Sequence, residues 1–151
     1  MTTTTGTRAP NAAFRDTEAR LAEWLAGHSV DLLRLSLGLV FLGFGVLKFV
    51  PGLSPAEPLA ARTLEVLTLG LVPERLGLVG VAALESAIGL LLLSGRWLRL
   101  SLALLAVELI GILSPLVVLP GEMFRDALFA PTLAGQYVLK DIVIAASGLV
   151  V

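Results

Sequence analysis

The sequence predicts an all-α protein, an integral membrane four-helix bundle with an N-terminal amphipathic interfacial helix. Three observations predict it. Of 151 residues, 56% are apolar and 15% charged, with a mean hydropathy of +0.92, against roughly half apolar and a quarter charged in an average soluble protein. Apolar runs of about 18 to 20 residues recur, long enough to cross the hydrocarbon of a bilayer as helices. Proline, glycine or arginine punctuates the chain between these runs.

Residues 1–11 are polar and threonine-rich, with too little apolar surface to offset the entropy of ordering them, and read as a disordered tail. Over 12–29 the spacing of Phe14, Leu21, Trp24 and Leu25 puts the large apolar groups on one helical face. Trp24 suits the headgroup region, which makes this an interfacial helix; a frayed cytoplasmic helix fits the same residues equally. Residues 30–151 then form the transmembrane domain. Its first span covers about 31–50, where Pro51 and Gly52 stop it. Prolines 51, 55 and 58 lead into a short amphipathic stretch, Leu59 to Leu69, too polar to span and suited to lie against the bundle or the membrane surface. Span two covers about 75–94, and Gly95 to Arg99 turn the chain into span three, about 98–119. Pro120 and Gly121 end it, a loop carries Glu122, Arg125 and Asp126, and span four covers about 132–151.

The first span is no cleavable signal, because acids precede it and it is full length. Arg8, Arg15, Arg20 and Arg34 with Arg96 and Arg99 outnumber Arg62, Arg75 and Arg125, which puts both termini in the cytoplasm. Lys48, near the outer end of span one, narrows that difference. The pentapeptide Leu33-Arg34-Leu35-Ser36-Leu37 recurs as Leu98-Arg99-Leu100-Ser101-Leu102, consistent with a duplicated hairpin or with chance in leucine-rich sequence.

Several chemistries are excluded. Eleven Lys and Arg balance twelve Asp and Glu without a basic stripe, which argues against nucleic acid as a partner. Cysteine is absent, so thiolate catalysis and cysteine-ligated iron–sulfur or metal centres cannot be built from this chain. His28 is the only histidine, so a haem held by two histidines is impossible, and no metal site is expected.

What remains is a set of charges inside the apolar runs. Glu85, Glu108, Lys140 and Asp141 all fall near the middle of a span, where an ionised side chain costs about 2.5–3.5 kcal/mol, so they should face the bundle interior or a wet cavity and find one another. Lys140 neutralises one carboxylate at most. The others must be protonated, reach water or find another partner. Gln136 and Tyr137 neighbour Lys140 and Asp141 on span four. Lys48 is expected to snorkel to the interface. Ala82 and Gly89 share the Glu85 face and let a neighbouring helix come close. Ser114 and Pro115 should kink span three and free a carbonyl near Gly111. A functional site and structural ion pairing fit the four central charges equally.

Three segments carry a resemblance to a known family. Leu33 to Phe49 (LRLSLGLVFLGFGVLKF), Leu84 to Leu93 (LESAIGLLLL) and Gly135 to Ile144 (GQYVLKDIVI), with the Ser114-Pro115 region, resemble in order and charge placement the DoxX-like superfamily, and within it the YkgB-like branch associated with resistance to reactive chlorine. The resemblance spans about residues 31–151 and matches Lys48, Glu85, Lys140 and Asp141 to family motifs; Glu108 stands on physical grounds alone. It implies a multi-pass protein of the bacterial inner membrane, tied to redox homeostasis or oxidative stress. It also implies quinone as a cofactor and an oxidoreductase subunit as a partner. Apart from the resemblance, composition makes the lipid bilayer a partner, and a second copy of the chain is a further expected one. A small proton-coupled transporter and a non-enzymatic scaffold are the competing expectations.

Overall fold

A computed structural model describes residues 10–125 and 130–151, with the side chains of residues 10–13 outside the description. The expected tail therefore lies outside the described residues up to position 9, and so does Asp126. Pro10 and Asn11, expected in the tail, instead begin a helix.

That helix, α1, runs from Pro10 to Lys48 without interruption. The interfacial helix expected over 12–29 is not a separate element, and the expected boundary near residue 30 is not a break. At 1.5 Å per residue, 39 residues extend about 58 Å, roughly twice the thickness of a bilayer's hydrocarbon. Every residue from 14 to 32 is exposed, so the N-terminal part of α1 runs beyond the region packed by other helices. There His28 stacks on Trp24 at 4.7 Å and its Nδ1 donates to the Trp24 carbonyl at 2.8 Å.

A turn through Gly52, whose φ of +74° favours glycine, leads to α2, Glu57–Leu67. It begins two residues before the expected amphipathic stretch. The three remaining long helices are α3, Glu74–Ser94, α4, Leu98–Leu113, and α7, Leu133–Val150. Between α4 and α7 lie two single turns, α5 (Pro115–Val118) and α6 (Pro120–Met123), and a small antiparallel pair, β1 (Phe124–Arg125) with β2 (Ala130–Pro131). α5 falls within the expected third span, and the loop expected from Glu122 to Pro131 carries the end of α6 and the β pair. α4 and α5 run nearly continuously, so four stretches, Phe14–Lys48, Glu74–Ser94, Leu98–Val118 and Leu133–Val150, are long and apolar enough to cross a membrane.

The chain reverses at each connection. α1 packs along α3, α3 against α4, α4 against α7, and α7 back against α1. Leu37, Phe41, Ile88, Leu92 and Leu105 form the buried core between them. Reversal puts α2, α5, α6 and the β pair at one end, beside the C-terminus of α1 and the N-termini of α3 and α7. Arg62 joins that layer together, 2.7 Å from Glu65 and 3.7 Å from Glu122, and the Glu65 hydrogen bond raises the guanidinium still further above its ordinary range. The end is locked to α7 by Thr132, whose hydroxyl donates to the Glu122 carbonyl at 2.6 Å and accepts from the Gly135 amide at 3.1 Å, an N-cap.

At the position expected to kink, the helix is interrupted only at Ser114, whose backbone keeps helical angles, φ −57° and ψ −33°. α4 ends at Leu113, and Ser114 donates from Oγ to the Gly111 carbonyl at 2.7 Å. The hydroxyl occupies the acceptor that Pro115, having no N–H, leaves open.

Candidate functional site

The site begins with the contact between α1 and α3. Three glycines set it. A Cβ at Gly89 would lie 2.5 Å from the Leu42 amide nitrogen, one at Gly45 2.7 Å from Ser86 N, and one at Gly38 2.8 Å from Leu93 Cγ. The two backbones therefore approach more closely than any larger residue permits, as small residues allow in membrane helix pairs. Each helix also ties down the end of the other. Arg34 of α1 donates to the Leu92 carbonyl near the C-terminus of α3, and Arg75 of α3 donates to the Phe49 carbonyl just past the C-terminus of α1, at 2.6 Å. A guanidinium there satisfies a carbonyl that the helix leaves open and complements its negative end.

In this register Lys48, the last residue of α1, reaches the middle of α3. Its Nζ donates to both carboxylate oxygens of Glu85, at 2.8 and 2.6 Å. Both residues are only 6% exposed. Lys48 therefore does not snorkel to the interface: the close approach at Gly45 and Gly89 puts its stem on α3, and a buried carboxylate outcompetes distant water.

Glu108 of α4 is 7% exposed and has neither a hydrogen bond nor an ion pair within the described residues. Asp141 of α7 is half-buried and likewise unpaired. The charges of Glu85 and Lys48 act on both, so α1, α3, α4 and α7 each contribute one ionisable group to a single neighbourhood of three acids and one base. Once Lys48 and Glu85 neutralise each other, two carboxyl groups remain without a counter-ion. An ionised carboxylate is costly in such an apolar setting, whereas a protonated one is a proton donor, buried at Glu108 and half-buried at Asp141.

Lys140 is not the base of this cluster. It is exposed on the outer side of α7, its Nζ 5.3 Å from the Tyr137 ring centroid, and Gln136 and Tyr137 are exposed beside it. The helical period explains the split: Lys140 and Asp141 are 100° apart, and only Asp141 is partly covered by the bundle. The sequence pattern overlooked Ser101, which is fully buried two turns before Glu108 on the same face of α4, its hydroxyl unpartnered. The Ser86 hydroxyl beside Gly45 is also unpartnered. A serine at i−7 from a membrane glutamate was the available signal.

The repeated pentapeptide has no shared role. Arg34 caps α3 whereas Arg99 is exposed, and Ser36 is exposed with its hydroxyl on the Leu32 carbonyl whereas Ser101 is buried. Among the described residues no three His, Asp or Glu side chains are placed to hold a metal ion. An open recess of about 530 Å³, lined by Gly52, Ser54, Glu57 and Glu74 among others, lies at the α2 end.

Comparisons with protein-family models, with curated proteins and with solved structures find no match.

Proposed function

We propose that the chain is a multi-pass protein of the bacterial inner membrane, its four long helices crossing the bilayer as a bundle with both termini in the cytoplasm. We further infer a DoxX-like role in redox homeostasis or oxidative-stress resistance, in which Glu108 exchanges protons with a quinone. The observation that carries this is the position of Glu108: buried, without a counter-ion, and beside a Lys48–Glu85 pair that has already neutralised itself. A permanently paired carboxylate offers no proton, whereas an unpaired one in an apolar setting does.

Quinone reduction takes up two electrons and two protons. The chain has no cysteine and one histidine, and that histidine lies on the exposed part of α1, so the electrons come from a partner oxidoreductase. Glu108 delivers the protons to the quinone oxygens, and Lys48–Glu85 fixes the α1–α3 wall of the site. Lys48 and Glu85 also belong to the segments that resemble the DoxX-like superfamily, which supports a shared architecture, while reaction chemistry rests on the site itself.

The test is to purify the chain in a mild detergent and extract it for quinone. Stoichiometric quinone in the wild type and its loss in Glu108→Gln are expected. Quinone-free protein, together with unchanged oxidant sensitivity after deletion of the gene, would remove the proposal.

A proton-coupled carrier is the second reading, favoured by the break at Ser114–Pro115 less than two turns past Glu108. It requires proteoliposome flux that disappears in Glu85→Gln and Glu108→Gln.

A further inference from the structure

We propose that the outer face of α7 is a homodimer interface in which Lys140 of one copy meets Asp141 of the other across a two-fold axis along the membrane normal. This rests on the membrane-crossing reading above.

In the N-terminal half of α7, Leu133, Gln136, Tyr137 and Lys140 are all exposed and their spacing gathers them on one face. Gln136, Tyr137 and Lys140 make no hydrogen bond within the described residues; the one contact is that of the Lys140 ammonium with the Tyr137 ring. In water such a face needs no explanation. In lipid an ammonium near the middle of an 18-residue helix costs about 2.5–3.5 kcal/mol, and an amide with no partner adds to that. Polar groups on one membrane helix are satisfied by polar groups on another.

The occupant follows from charge complementarity. Asp141 borders this face, half-exposed and without an ion pair of its own. Copies inserted in the same orientation and related by a two-fold axis place equivalent residues at equal depth, so a face carrying a base beside an acid is complementary to itself. Lys140 of each copy then answers Asp141 of the other, and the Gln136 amide, both donor and acceptor, pairs with its own equivalent. A dimer of this form also reduces the unpaired acids of each copy from two to one, leaving Glu108 as the proton-exchanging group.

The absence of cysteine makes the test direct. Leu133→Cys and Gln136→Cys are introduced singly into the full chain, with Ile110→Cys on the exposed face of α4 as control, and membranes are oxidised. Disulfide-linked dimers are expected from the two α7 positions and not from α4. Adding Lys140→Asp to Gln136→Cys should lower the crosslinked fraction about tenfold, the equivalent of one to two kcal/mol, and adding Asp141→Lys as well should restore it. Absence of an α7 crosslink in a chain that resists alkaline carbonate extraction overturns the dimer and leaves the membrane reading intact, as does a monomer mass by light scattering in nanodiscs. A crosslink indifferent to Lys140→Asp overturns the pairing. Release of the chain by carbonate overturns the membrane reading itself.

Discussion

The Lys48 ammonium lies 2.8 and 2.6 Å from the two carboxylate oxygens of Glu85, joining the last residue of α1 to the middle of α3 with both side chains buried. A pair of this kind is strongly destabilising to break from one side and nearly neutral to replace from both, since the cost lies in the charge left behind. Lys48→Met and Glu85→Gln should each lower stability by about 3–5 kcal/mol. Lys48→Met with Glu85→Leu should recover most of the loss. Thermal unfolding of the four proteins in one detergent checks this; simple addition of the single losses would contradict it.

The glycines that permit the pair should be position-specific. Gly89→Ala drives a methyl to 2.5 Å from the Leu42 amide nitrogen and should cost about 1–3 kcal/mol as overpacking. Gly80 sits on the same helix with nothing within 4 Å of its added Cβ, so Gly80→Ala should be neutral or stabilising by up to about 1 kcal/mol. Unfolding midpoints that fall equally in both variants would show that α1 and α3 do not meet at Gly89.

Thr132 joins the α6 end to α7 through one hydroxyl. Thr132→Ala should cost about 1 kcal/mol and speed amide exchange at Gly135 about fivefold, while Thr132→Ser keeps the wild-type rate. Hydrogen exchange read by mass spectrometry over the first turn of α7 is the measurement. Unchanged protection in Thr132→Ala would mean that the cap does not hold the helix end.

The four apolar stretches were legible because their length and composition alone mark them, and every boundary except the start of the first falls within about two residues of expectation. The interruption at Ser114 and the Gly111 carbonyl that Pro115 cannot bond were legible because proline chemistry is local. Lys48–Glu85 was not. Its existence depends on the register of two antiparallel helices, set by Gly38, Gly45 and Gly89 from both sequences at once, and no single-segment pattern carries that register. The same holds for Lys140, because position along a span says nothing about which side of α7 faces inward. The continuity of α1 through residue 30 is not legible in the sequence, because polarity changes there while the element does not: neither Gly27 nor Ser29 breaks the helix.

The proposed function depends most on Glu108 as the acid that Lys48 leaves free. The deciding measurement is survival of cells under hypochlorous acid when the deleted gene is replaced by wild-type, Glu108→Gln or Glu108→Asp protein at matched membrane abundance. Glu108→Gln, which keeps the shape and loses the exchangeable proton, should survive about as poorly as the deletion, with Glu108→Asp recovering part of the protection. Wild-type survival with Glu108→Gln at normal abundance would contradict the account and leave the buried acids as structure alone.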